Sequence, residues 1–212
     1  MTLIYFDHNA TTPLDPEVRA EMEACHGRIF GNPSSIHSAG QEARRVIDRA
    51  RIHVARLIGA QPAEIVFTSG GTEANNLAIF GTVAAAKRER LHVVTTAIEH
   101  PSVLNPCRHL EQTGHPLTLL PVDHEGRLDP RVAAAALRDG TAIVSVMLAN
   151  NDTGVIQPVA EVAASARAIG VIAHTDAVQA VGKIPVNVNA LGVDLLAFSA
   201  HKLHGPKGAG AL

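Results

Sequence analysis

The chain has 212 residues, a net charge of −2, 46% apolar residues and 18% charged ones, the balance of a globular protein with enough material to bury a core. The lack of a basic excess excludes a binder of nucleic-acid backbones, and 3% aromatics leave few rings for stacking on bases. No run is apolar enough to span a bilayer, MTLIYFDHNATT has no export features, and two cysteines are too few for a disulfide framework, so a cytoplasmic protein without a membrane partner is expected.

In chain order, the first long periodic segment is Gly40 to Ala60, a helix with Val46, Ile47, Val54, Leu57 and Ile58 on one stripe. An apolar strand follows, Glu64 to Ser69, and ends at Gly70, Gly71 and Thr72. That end is either an ordinary glycine turn or a helix N-terminus open to an anion. A helix is predicted from Glu73 to Glu89 and a strand from Leu91 to Ala97. Next comes IEHP, where Pro101 suits a first helical position and leaves His100 at the mouth, as a cap or as a partner for a flat ligand.

Strands are predicted at Leu117 to Val122 and at Ala142 to Leu148, the latter ending in ANNDTG, common turn chemistry with amides at Asn150 and Asn151. A helix from Val159 to Gly170 precedes a strand from Val171 to Asp176, with Gln179 three residues on. A carboxylate at the end of a buried strand either caps the next turn or meets a cation. The last strand, Leu195 to Ala200, runs into SAHKLHGPKGAGAL, a glycine-loosened loop carrying Ser199, His201 and Lys202.

Strands and helices in alternation predict a three-layer α/β fold with a mostly parallel sheet and right-handed crossovers. No linker, repeat or low-complexity tract divides residues 1–212. Cys25 and Cys107 fall in helical segments. The twelve histidines are scattered with no zinc-like spacing, so surface positions for most of them and no metal are expected.

Sheets of this kind carry their reactive groups at the carboxyl ends of strands. Here those ends supply an anion cradle, a flat-ring partner, an amide, a carboxylate and a lysine. A lysine amine is protonated at neutral pH unless burial or cationic neighbours lower its proton affinity. Pyridoxal 5'-phosphate calls for this set: its phosphate is held, its pyridine nitrogen kept protonated, and its aldehyde tied as a Schiff base.

The sequence resembles the cysteine desulfurases of the NifS/IscS type, in the class-V aminotransferase group of fold-type-I pyridoxal-phosphate enzymes. The resemblance rests on YFDHNATTPLDP, FGNPSSIH, IVFTSGGTEANNLAI, EHPSV, ANNDTGV, TDAVQAVGKIP and SAHKLHGPKGAGAL, in that order. It implies that Lys202 holds the aldehyde, that His100 stacks on the ring and moves protons, and that Asp176 pairs with the pyridine nitrogen. Asn151 and Gln179 would contact the phenolic oxygen; Gly71, Thr72, Ser199 and His201 would hold the phosphate, and Asn9 would touch substrate. Asp152 stands where relatives commonly carry Glu.

The resemblance further implies removal of sulfur from L-cysteine, giving alanine and a persulfide for iron–sulfur cluster assembly, by a homodimer that serves sulfur-accepting scaffold proteins. Family members are nearly twice this long. The expectation is therefore an N-terminal segment plus most of the large domain, truncated before the C-terminal small domain. The persulfide cysteine, the carboxylate-gripping arginine and the partner subunit's phosphate contact would lie beyond Leu212, and the chain alone would be inactive. Rival readings are selenocysteine lyase, kynureninase or another class-V enzyme, and a nonfunctional truncated product.

Overall fold

The computed structural model describes residues 4–86 and 91–212. The helices are α1 (Pro16–Arg28), α2 (Ser38–Ile58), α3 (Gly71–Ala85), α4 (Pro101–Gln112), α5 (Pro130–Ala136), α6 (Val159–Ala168) and α7 (Val188–Leu191). The strands are β1 (Phe67–Thr68), β2 (His92–Thr96), β3 (Leu117–Leu120), β4 (Thr141–Ser145), β5 (Ile172–Asp176), β6 (Leu195–Ser199) and β7 (Gly210–Ala211). They form one sheet in the order β1-β7-β6-β5-β4-β2-β3. The five central and right-hand strands, β6 through β3, are parallel; β7 runs antiparallel to both β6 and β1. Among the described residues no helix is long and apolar enough to cross a membrane.

Every residue of β2 and β4 is buried, as a sheet covered on both faces requires. The two-residue period sends Val93 and Ile143 into one core with Ile79 and Val83 of α3 and Val103 and Leu110 of α4. It sends Val94 and Val144 to the other face, against Ala55 and Ile58 of α2, Ala133 of α5 and Val162 of α6. The chain leaves β2 for β3 on one side and returns to β4 on the other. All parallel strands therefore end at one rim, with the reversal of order between β2 and β4, where α/β sheets bind ligands.

Some expected boundaries move. The strand expected over Glu64 to Ser69 shortens because Pro62–Glu64 is a turn of 3-10 helix closed by a Gln61 N–H donating to Glu64 Oε2 at 2.7 Å. Pro121 has no N–H for the ladder, and β3 stops before it. Val146 and Leu148 lie past β4, yet their N–H groups still donate to His174 and Asp176 carbonyls of β5 at 3.1 and 2.9 Å. The helix expected to Glu89 is seen to Ala85, and positions 87–89 lie outside the described residues. Leu57, expected on the buried stripe of α2, is 46% exposed; Ile58 of that stripe is buried as expected, and Ala55 joins it on the covered face. The terminal glycine run was expected to be loop alone, but it contains β7. A Cβ on Gly210 would lie 2.7 Å from Gly70 Cα and 2.8 Å from the Phe198 carbonyl, so a side chain there would push the strand out of the sheet.

Candidate active site

At the rim of the parallel strands lies a cavity of about 640 Å³. It is lined by every predicted site residue: Asn9, Gly71, Thr72, His100, Asn151, Asp176, Gln179, Ser199, His201 and Lys202. Strand ends explain most of the convergence. β5 delivers Asp176, β6 delivers Ser199 and the Ala200–Lys202 turn, and the residues after β2 and β4 deliver His100 and Asn151.

Gly71 and Thr72 open α3, whose N-cap Gly70 offers no side-chain hydrogen bond. The first-turn N–H groups of such a helix favour an anion. Gly71, Thr72, Ser199 and His201 also face an adjoining recess of about 400 Å³ shared with Gly70 and Lys207. A Cβ on Gly71 would sit 2.6 Å from Val178 Cγ2, so only glycine lets α3 close onto the Val178 turn.

Asp176 is 4% exposed. Its carboxylate accepts from Asn75 Nδ2 at 2.8 Å and from the Val178 N–H at 2.9 Å. Burial pushes its pKa up, and those two hydrogen bonds and the charges of His100 and Lys202 pull back. The two readings of His100 merge: it caps α4, its Nδ1 accepting from the Ser102 N–H at 3.1 Å, and it lines the cavity. The same Nδ1 lies 2.7 Å from Ser102 Oγ, which accepts from Asn75 Nδ2 at 2.9 Å. A four-residue hydrogen-bond chain, His100–Ser102–Asn75–Asp176, thus underlies the cavity. The Asn151 amide donates to Asp152 Oδ1 at 2.7 Å.

Lys202 is half-buried, and burial lowers its proton affinity, helped by the charge of Lys183 and opposed by Asp7 and Asp176. Its Nζ donates to the Asn9 carbonyl, as does Gln179 Nε2, at 2.9 Å. The N-terminal segment is fastened over the lysine turn: the Thr12 N–H and hydroxyl both donate to the His201 carbonyl at 2.9 Å, and the His204 N–H donates to Thr12 Oγ1 at 2.8 Å.

Asn75, Ser102 and Val178 escaped the sequence reading. Asn75 carried a signal, since it lies four residues after Gly71 and so on the same face of α3. Glu99 was also missed: fully enclosed, it takes hydrogen bonds from the Thr96 hydroxyl at 2.7 Å and the Met147 N–H at 2.9 Å. Most histidines are exposed, as expected; His92 and His174 are the exceptions, buried between strands and bonded to Thr141, Thr118 and Ser145 hydroxyls. Among the described residues, no group of three or more histidine, cysteine or acidic side chains is placed to hold a metal ion.

The aminotransferase class-V family model matches residues 4–212. A cysteine desulfurase IscS from Dictyoglomus turgidum is 51% identical over 209 residues, covering 99% of this chain and 53% of its own. Cysteine desulfurase 2 from Trichormus variabilis is 47% identical over 212 residues, 100% of this chain and 53% of its own. A solved structure described as SspA in complex with cysteine superposes with a TM-score of 0.95 at 37% identity, over 99% of this chain and 60% of that one. A NifS-like protein gives 0.95 at 39% identity, over 99% and 58%. The chain spans about half the length of the curated relatives it matches.

Proposed function

The chain belongs to the aminotransferase class-V family, and on that premise we propose that it is the cofactor-holding part of a pyridoxal-phosphate-dependent cysteine desulfurase. One observation carries the reading: a buried carboxylate, Asp176, and an amine of lowered proton affinity, Lys202, line one cavity with the uncapped N-terminus of α3. The residues fit pyridoxal phosphate. The burial of Asp176 would be offset by a cationic donor, and a protonated pyridine nitrogen would supply one. The recess at Gly71, Thr72, Ser199 and His201 suits a phosphate on a helix N-terminus.

When bound, pyridoxal phosphate supplies an aldehyde and an electron-withdrawing ring. Lys202 Nζ is the amine that would hold the aldehyde, and once free it would be the base for the α-proton of an amino acid. His100 Nδ1 is engaged by the Ser102 N–H and hydroxyl, which leaves Nε2 as the nitrogen that exchanges protons with the cavity. Asn151 and Gln179 would orient the ring through its phenolic oxygen, and Asn9 would border the substrate.

L-Cysteine is the proposed substrate, in keeping with the names of the relatives and the description of one as a complex with cysteine. Neither cysteine of this chain suits the role of sulfur acceptor. Cys107 is buried and its thiol is pushed up to about 12, first by burial and then by the charge of Glu99. Cys25 lines a separate depression on α1. In this reading the accepting thiol lies outside these 212 residues, in a homodimer that passes sulfur to scaffold proteins for iron–sulfur cluster assembly.

The test uses the full-length protein. Borohydride reduction after loading with pyridoxal phosphate should place the adduct on the Lys202 peptide, and L-cysteine should yield alanine. An adduct elsewhere, or loading without alanine release, overturns the corresponding half of the proposal.

A further inference from the structure

A second lysine stands beside the first. Lys183 follows a left-handed turn at Gly182, φ +79°, where a Cβ would lie 3.0 Å from Leu203 Cβ. The loop after β5 therefore packs against the residue next to Lys202. Lys183 Nζ donates to Asn9 Oδ1 at 3.3 Å and to Gln179 Oε1 at 2.6 Å. Lys202 Nζ donates to the backbone carbonyl of the same Asn9. Two amines thus share the two oxygens of one residue, and the partners that anchor Lys183 are neutral amides.

We propose that Lys183 is the charge-setting and positioning residue for Lys202: its ammonium, anchored on Asn9 and Gln179, favours the unprotonated, nucleophilic form of the Lys202 amine. Two like charges held on the two oxygens of one residue penalise each other, and the penalty is relieved when one loses its proton. Burial lowers the proton affinity of both amines, but Lys202 is the more enclosed of the two and Lys183 the more exposed, so the relief favours proton loss at Lys202. The opposing groups are Asp7 of the N-terminal segment and Asp176 at the end of β5; His100, Asp152 and His201 complete the titratable lining of the cavity. Lys183 is not among the lining residues, so it acts through Lys202 and not on the cofactor. It also fixes the Gln179 amide, whose oxygen it occupies, with Nε2 toward Asn9.

The inference rests on the pyridoxal-phosphate reading, but its test does not require the cofactor. In the full-length protein stripped of cofactor, trace labelling with acetic anhydride across pH, read on the Lys202 peptide by mass spectrometry, reports the proton affinity of that amine. K183M should reduce labelling near neutral pH about three- to tenfold and move the midpoint to higher pH. K183Q, which keeps a hydrogen-bond donor and drops the charge, should do the same. K183R should keep the wild-type midpoint, because a guanidinium stays charged. High salt should move the wild-type midpoint in the K183M direction, a reading that does not depend on any variant folding. A midpoint unchanged in K183Q and in high salt overturns the inference. Loading with pyridoxal phosphate separates the two proposals: no imine on Lys202 at any pH overturns the cofactor reading, while the labelling titration still decides the role of Lys183.

Discussion

Asp176 is the residue on which the floor of the cavity turns. Its carboxylate is enclosed at the end of β5, and Asn75 reaches it from α3 while also holding Ser102, and through it His100. Asn75→Ala removes a buried donor from a carboxylate, a contribution of about 1.5–3 kcal/mol for a hydrogen bond to a charged group. Pyridoxal-phosphate affinity, read by fluorescence titration, should fall about tenfold or more; unchanged affinity would mean that Val178 alone suffices. Gly71→Ala should destabilise the fold by about 1–3 kcal/mol in urea denaturation, as overpacked sites do. Val178→Ala in the same chain should restore most of that loss, since the clash is with Val178 Cγ2. At this scale Lys202, His100 and Asp176 were legible because each ends an apolar run. Ser102 was not, and Asn75 was only through its spacing from Gly71, because their meaning depends on which way two helices are rotated against the sheet, and a sequence states that only after packing is known.

Between elements, Glu99 acts as a clip. It lies past the end of β2 and joins Thr96 of that strand to the Met147 N–H beyond β4, across the line where the strand order reverses. Enclosure raises its pKa from 4.5 to about 8. The folded state keeps the Glu99 proton where the unfolded chain has released it, so this group's contribution is full below about pH 4.5 and is lost as pH rises toward 8. His174 works in the opposite sense. Burial lowers its pKa from 6.5 to about 3, and its contribution is lost as pH falls through that window. The two slopes oppose each other between 4.5 and 6.5. Urea midpoints should therefore plateau there and decline on either side. Glu99→Gln should abolish the alkaline decline, about 1.4 kcal/mol per pH unit at its steepest; a midpoint that rises from pH 6.5 to 8 in the wild type would contradict the assignment. The strands themselves were readable as apolar runs. β7 was not, because Gly210 and Ala211 carry no strand propensity and are held in place by the backbone of Phe198 and Gly70 beside them.

For the molecule as a whole, the cavity is closed by a segment far away in sequence. Thr12 supplies a hydroxyl and an N–H to His201 and accepts from His204, while Asn9 meets Lys202, Lys183, Gln179 and Asn151. Thr12→Val removes the hydroxyl's bonds, each about 0.5–1.5 kcal/mol net. Hydrogen exchange at His201 and His204 should accelerate while the β2 and β4 amides, enclosed in the core, keep their protection. Equal acceleration throughout would show that the segment supports the global fold. The resemblance put Asn9 of the motif YFDHNATTPLDP beside the substrate, and Asn9 lines the cavity; the fastening of Thr12 to the lysine turn was not legible, since no periodicity marks the segment and its bonds run mostly to backbone carbonyls and amides.

That fastening also sets an order of events during synthesis. Thr12 and His201 are 189 residues apart, and a ribosome adding roughly 5–20 residues per second needs on the order of ten to forty seconds to cover that interval. Throughout it the segment around Asn9 has been made and has no carbonyl to hold. The strands from β2 to β5 can pair as they emerge, but β6 ends at Ser199, just before His201, so the last parallel strand and the amine site are completed together, when one of the longest loops in the chain closes.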